Sequence, residues 1–164
     1  MGFGIYAVTA GTGQLALSPL PGGGGDFASD FSVLREWAPG LVISMTEGAE
    51  MAALGGGGLG AALAAEGIGW AHLPLPDFGA PGAGTLEAWP DVSARARALL
   101  EAGGRVLVHC RGGCGRSGMV VLRLLVELGE APEAALARLR EVRPCAVETE
   151  AQMAWAQHFT DVKG

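Results

Sequence analysis

The sequence predicts an α/β fold: a central, mostly parallel sheet flanked by helices. Three observations predict it. Short apolar runs at 41–45, 70–73 and 105–108 alternate with longer segments of helical periodicity, the layering of a sheet covered by helices. Each run is close to continuous in apolar residues, as expected of strands buried on both faces. The last run leads into His109-Cys110-Arg111-Gly112-Gly113-Cys114-Gly115-Arg116-Ser117-Gly118, a glycine-rich turn from strand to helix. In such sheets ligands bind at the carboxyl ends of the strands, where this turn would lie.

Taken in order, residues 3–8 and 14–17 read as two short strands joined through Thr9-Ala10-Gly11-Thr12-Gly13 as a hairpin. Residues 19–25, which end in four consecutive glycines, read as a loop. Over 26–37, Phe27, Phe31, Leu34 and Trp37 fall at helical spacing, and Pro39-Gly40 ends the helix. Core packing explains that aromatic stripe. After the 41–45 strand come a short helix over 50–54, a break at glycines 55–58, and another helix over 59–66. Residues 74–84 contain three prolines and three glycines, so they form a surface loop after the 70–73 strand. A helix over 85–102 follows. Beyond the Cys110 turn, residues 119–128 continue as a helix against the sheet. Pro132 opens a helix that turns Leu136, Leu139 and Val142 inward, and Arg143-Pro144 ends it. The final helix begins at Thr149-Glu150-Ala151-Gln152, a capping-box pattern.

Composition narrows the function. A chain of 164 residues suits one domain, 1–164, with a real core. The net charge of −6 and the absence of a basic run argue against a nucleic-acid partner. Three cysteines, an odd number, suggest a reducing compartment and no disulfide framework. The N-terminus lacks a signal-peptide pattern, Gly2 fails the acylation pattern because residue 6 is Tyr, and no run is long enough to span a membrane. A cytoplasmic protein without a membrane partner is expected.

The chemistry concentrates at the Cys110 turn. Glycines 112, 113 and 115 allow positive φ and let backbone amides converge on one point. The following helix N-terminus adds unsatisfied N–H groups and partial positive charge, which suits an anion. Arg116, six residues after Cys110, supplies a planar fork for two phosphate oxygens. Cys110 would lie at the base of this cradle, placed to act as a nucleophile. Metal binding by His109, Cys110 and Cys114 is disfavoured because their spacing misses the usual ligand patterns.

His-Cys-x5-Arg-Ser resembles the signature of the cysteine-dependent protein tyrosine and dual-specificity phosphatases. Pro76-Asp77-Phe78-Gly79 with Pro81 resembles the loop that carries their general acid. The resemblance is specific across 77–118 and is nearest to the compact kinase-associated, cyclin-dependent-kinase-inhibitor-3-like group. Rhodanese-type sulfur transferases also place a cysteine loop after a strand, but typically one residue shorter to the arginine.

The resemblance implies hydrolysis of phosphomonoesters through a phosphocysteine. Cys110 would be the nucleophile and Arg116 the clamp, with the amides from Arg111 through Gly112, Gly113, Cys114 and Gly115 to Arg116 binding phosphate. Asp77 would be the acid and then the base, Ser117 the hydrogen-bond donor to sulfur, and His109 a brace for the loop. Taken alone, Asp77 reads as holding its own turn, and only beside the Cys110 loop is the acid role favoured; Glu87 and Asp91 are rivals for the acid role but fall in a helix. Gln152 has two readings, the capping box and a glutamine that smaller phosphatases place near the site. Cys114 is either a small turn residue facing outward or a thiol that could resolve an oxidised Cys110. Cys145 receives no role. No metal or organic cofactor is expected, since the cradle supplies the positive charge. The substrate implied is a phosphorylated protein, phosphotyrosine first and phosphoserine or phosphothreonine besides. The alternatives are a phosphate-binding pseudophosphatase and an enzyme for a non-protein phosphoester.

Overall fold

Five strands form one sheet in the computed structural model, which describes residues 3–157. Met1, Gly2 and residues 158–164 lie outside the described residues, and with them the Gly2 considered for acylation. The strands are β1 (Tyr6–Ala10), β2 (Gly13–Ser18), β3 (Leu41–Ser44), β4 (Gly69–His72) and β5 (Arg105–His109), in the spatial order β1-β2-β5-β3-β4. Only β1 runs antiparallel; β2, β5, β3 and β4 are mutually parallel. The mostly parallel sheet matches expectation. The hairpin is tighter than the sequence suggested, because Ala10 pairs with Gly13 and Gly11 turns at φ 60.

Seven helices cover the sheet among the described residues: α1 (Phe27–Trp37), α2 (Gly48–Leu54), α3 (Leu59–Ala65), α4 (Ala83–Glu101), α5 (Gly115–Glu127), α6 (Pro132–Val142) and α7 (Glu150–Gln157). Side chains alternate along each strand, so β5 sends Leu107 to one face and Val106 and Val108 to the other. Leu107 joins Phe31, Leu34, Met51, Leu59 and Leu63 under α1–α3. Val106 and Val108 join Trp89, Leu100, Val120, Leu124 and Leu139 under α4–α7. Each fully buried side chain of this kind contributes about 1.5–3 kcal/mol, so both layers hold the central strand in place.

α4 begins at Ala83, two residues before the expected start, and two further helix starts that differ from expectation shape the site. α2 begins at Gly48 rather than residue 50, because Glu47 and Glu50 form a capping box that puts Glu50 in the first turn. α5 begins at Gly115, four residues before its apolar run, so the end of the glycine-rich turn is already helix N-terminus.

Candidate active site

β5 carries Cys110 at its carboxyl end, and α5 begins five residues later. The loop between them is fixed from outside through its carbonyls. Arg111 O accepts from Leu20 N at 3.1 Å, and Cys114 O accepts from Gly118 N at 3.0 Å and Val147 N at 3.1 Å. Arg143 donates to Gly112 O at 2.8 Å and Gly113 O at 3.0 Å while its guanidinium stacks on Tyr6. With the carbonyls bound outward, the amides are left for the other side. Among the described residues no amide from Arg111 to Cys114 donates to a protein acceptor. Unpaired backbone donors at a helix N-terminus form an anion site.

Of the three loop glycines, Gly113 takes positive φ, at 75°. A Cβ there would lie 2.7 Å from Pro19 N, so the residue is fixed by conformation and by space. Gly115 serves closeness instead: its missing Cβ makes room for Gln152 Oε1, 2.9 Å from where the Cβ would be, and for the Glu148 carboxylate. Gly112 faces open space and needs neither.

Cys110 is buried, and its Sγ lies 3.2 Å from the Ser117 hydroxyl, which can donate to a thiolate. His109 is fully buried behind it. Its Nε2 lies 2.5 Å from Ser44 Oγ and its Nδ1 3.2 Å from Cys110 O. Burial, the largest influence, pushes the imidazole down to about 4, so it braces the loop as a neutral ring.

Arg116 is already engaged within the protein. Its two terminal nitrogens pair with both Glu50 oxygens at 2.9 and 2.8 Å, and Nη1 also donates to Leu75 O at 2.8 Å. Nη2 lies 3.4 Å from Asp77 Oδ1. Nε is buried with no partner, so the Nε edge is what remains for an oxyanion. Burial, the largest single influence, opposes the charge on Arg116, but Glu50, Cys110 and Asp77 together outweigh it and raise the pKa. The hydrogen bond from Arg116, in turn, holds the Glu50 carboxyl below the usual carboxylate range. Glu50 went unrecognised in the sequence as a site residue; its only local signal is the capping pattern with Glu47.

Asp77 and Gln152 each make the local bond the sequence suggested and also lie beside the Cys110 loop. Asp77 Oδ1 accepts from Phe78 N at 3.0 Å, a local turn bond, and also faces Arg116. The rivals Glu87 and Asp91 are on α4. Gln152 N donates to the Thr149 hydroxyl oxygen at 3.1 Å, the cap bond. Its side chain meanwhile accepts from Glu148 N at 2.9 Å and donates to Gly79 O at 3.1 Å, tying the Asp77 loop to the start of α7. Arg111 is exposed and borders, with Gly112, Pro19, Leu20 and Tyr6, a cleft of about 700 Å³ beside the loop.

The cysteines depart most from expectation. Cys114 and Cys145 form a disulfide, with Cα atoms 5.1 Å apart, and Cys110 alone is free. Cys114 faces away from the cradle, as one reading had it, but it is not available as a thiol to resolve Cys110. Cys145 has a role after all: it holds the loop's outer side. The bridge also removes the inference from an odd cysteine count to a reducing compartment. No described helix is long and apolar enough to cross a membrane.

Residues 20–130 match the family described as Tc-R-P, polymorphic toxin system, DSP-PTPase phosphatase. Cyclin-dependent kinase inhibitor 3 of Rattus norvegicus is 35% identical over 93 residues, 55% of this chain and 42% of that protein. The Sus scrofa protein of the same name is 33% identical over 93 residues with the same coverage. The chain thus spans about two fifths of the length of these curated relatives. Among solved structures, kinase associated phosphatase with its catalytic-site cysteine replaced by serine aligns at TM-score 0.81 and 23% identity, covering 95% of this chain and 93% of that one. Tk-PTP in its active form aligns at TM-score 0.65 and 27% identity, covering 86% and 87%. Human DUSP28 aligns at TM-score 0.65 and 20% identity, covering 93% and 90%.

Proposed function

This chain belongs to the DSP-PTPase phosphatase family, and from that premise we propose that it is a phosphatase of the dual-specificity and protein tyrosine type that hydrolyses protein phosphomonoesters through a phosphocysteine on Cys110. One observation carries the mechanism most: over the buried Cys110, a loop whose carbonyls are bound outward leaves its amides unpaired. In the first step Cys110 Sγ attacks phosphorus, the S–P bond forms and the P–O ester bond breaks. Asp77, protonated, gives its proton to the leaving oxygen. The loop amides and the Nε edge of Arg116 hold the equatorial oxygens, whose charge they meet without rearranging. In the second step water attacks phosphorus, Asp77 takes the proton, and the S–P bond breaks to return the thiolate. The Ser117 hydroxyl, 3.2 Å from Sγ, stabilises the sulfur as it leaves.

A phosphoprotein substrate, phosphotyrosine first, is supported by the cleft of about 700 Å³ beside Arg111, which has room for chain flanking the phosphate. It also agrees with the likeness to relatives named for kinases. The test is turnover of p-nitrophenyl phosphate by the full chain beside Cys110→Ser, followed by a phosphopeptide panel. Turnover is expected in the wild type and none in the variant, which should still bind vanadate because the cradle is mostly backbone. Vanadate binding without turnover in the wild type would replace this reading with a phosphate-binding one.

A further inference from the structure

We propose that Glu148 is a charge gate on the phosphate site: its carboxylate stands at the rim of the cradle and disfavours a bound dianion until it is protonated or displaced. The inference rests on the reading of the Cys110 loop as the phosphate site and adds a specificity-determining residue to it. No motif pointed to Glu148; its position comes from the fold.

Three observations put it there. The Glu148 carboxylate occupies the space that a Cβ on Gly115 would fill, and the Gly115 amide faces it. Gly115 is the first residue of α5, so the carboxylate draws on the same helix N-terminus that suits phosphate. The backbone is also forced into this placement. Val147, immediately before, has φ 67, a conformation that a β-branched residue adopts only under constraint. The constraint is visible: Val147 N donates to Cys114 O at 3.1 Å, Arg140 Nη2 donates to Val147 O at 2.9 Å, and Glu148 N donates to Gln152 Oε1 at 2.9 Å. Among the described residues three non-glycines have positive φ, and two of them, Val147 and Phe78, adjoin Glu148 and Asp77. The fold thus strains its backbone beside both rim carboxylates, Asp77 at 3.4 Å from Arg116 and Glu148 against Gly115.

The charged groups facing Glu148 are Asp77 on the acid loop and Arg116 on α5. Burial and then the charge of Asp77 hold the Glu148 carboxyl above the ordinary carboxylate range, while Arg116 and the Gly115 amide pull the other way. Ionised, Glu148 adds a like charge beside an incoming phosphate dianion and engages one amide that the dianion would use. The same charge selects against substrates with a second anionic group next to the phosphate.

Binding of vanadate and KM for p-nitrophenyl phosphate, measured on the full chain from about pH 5 to pH 8, compare wild type with Glu148→Gln. Glutamine keeps the size and the accepting oxygen but loses the charge. At neutral pH the variant's vanadate Kd and its KM should both fall about fivefold, the scale of one partly exposed charge contact. The ratio of wild type to variant should shrink toward one as pH falls through the raised carboxyl range; effects on Cys110, Asp77 and the ester itself are common to both proteins. Glu148→Ala removes the charge without the acceptor and must move both constants the same way. Equal constants at every pH, or weaker binding by either variant, would overturn the gate. Absence of both turnover and vanadate binding in the wild type would instead bring down the phosphate-site reading beneath it.

Discussion

Arg116 and Glu50, far apart in the chain, form a two-armed ion pair inside the protein, with both terminal nitrogens on both carboxylate oxygens. The pair turns the guanidinium so that its buried Nε has no protein partner. Removing Glu50 strands that buried charge, which costs about 3 kcal/mol for a pair at the edge of the interior. Glu50→Ala should therefore lower the thermal midpoint. It should also cut kcat/KM by roughly 10²-fold through misplacement of the clamp. Because the Glu50 carboxyl lies lower in the folded than in the unfolded chain, its contribution is complete above the ordinary carboxylate range and lost as pH falls below that range. Unfolding midpoints of wild type and Glu50→Ala should converge on acidification. Midpoints that stay equally far apart down to strongly acidic pH would contradict this account.

Asp77 stands 3.4 Å from Arg116 Nη2 on a loop tied by Gln152 through Gly79 O. Asp77→Asn should lower kcat by roughly 10²–10⁴-fold, the usual size of general acid catalysis. The loss should be smaller for nitrophenyl than for phenyl phosphate, because nitrophenolate departs without a proton. Gln152→Ala should produce a milder loss of the same leaving-group pattern, since it frees the loop but keeps the acid. An equal loss of rate on both esters in Asp77→Asn would assign the proton to another group.

The sequence made legible what is local and left obscure what the fold brings from a distance. A strand, a glycine-rich turn and a helix are contiguous, so the Cys110 loop, its arginine and its serine could be read together, as could the Asp77 loop with its prolines. Glu50 and Glu148 lie on other elements, and each has a sufficient local explanation: a first-turn helix residue, and a loop residue before a cap. Their places at the site follow from strand order, which sets β3 beside β5 and brings α2 and the loop before α7 around one end of the sheet. The same holds for Cys114 and Cys145, 31 residues apart, whose pairing depends on how α6 returns.

His109 offers a pH signature separate from catalysis. Its imidazole, lowered by burial from 6.5 to about 4, stays neutral in the fold while the unfolded chain takes up a proton. Stability therefore falls as pH drops from about 6.5 toward about 4. The full contribution is about 3 kcal/mol. The wild type should lose more stability over that window than His109→Gln, which has no proton to take up and can still bond Ser44. Parallel loss in both proteins, followed by denaturant unfolding, would show that His109 does not govern the window.

The Cys114–Cys145 bridge clamps the outside of the Cys110 loop next to the Arg143 contacts with Gly112 and Gly113. Closing a loop of this separation in the unfolded chain is worth roughly 3–4 kcal/mol. Dithiothreitol should lower the thermal midpoint of wild type but leave that of Cys145→Ser unchanged. The bridge also decides the fate of an oxidised nucleophile. Cys110 is the one free cysteine, so a sulfenic acid formed there by peroxide has no thiol in the chain to trap it as a disulfide. With the bridge intact, peroxide should carry Cys110 on to the sulfinic acid, an irreversible state. Reducing the bridge before peroxide frees Cys114, four residues from Cys110, and part of the activity should then return with dithiothreitol. Mass spectrometry of the 110–116 peptide separates the two outcomes. A Cys110–Cys114 disulfide in the unreduced protein would mean that the bridge exchanges under oxidation and does not hold the loop.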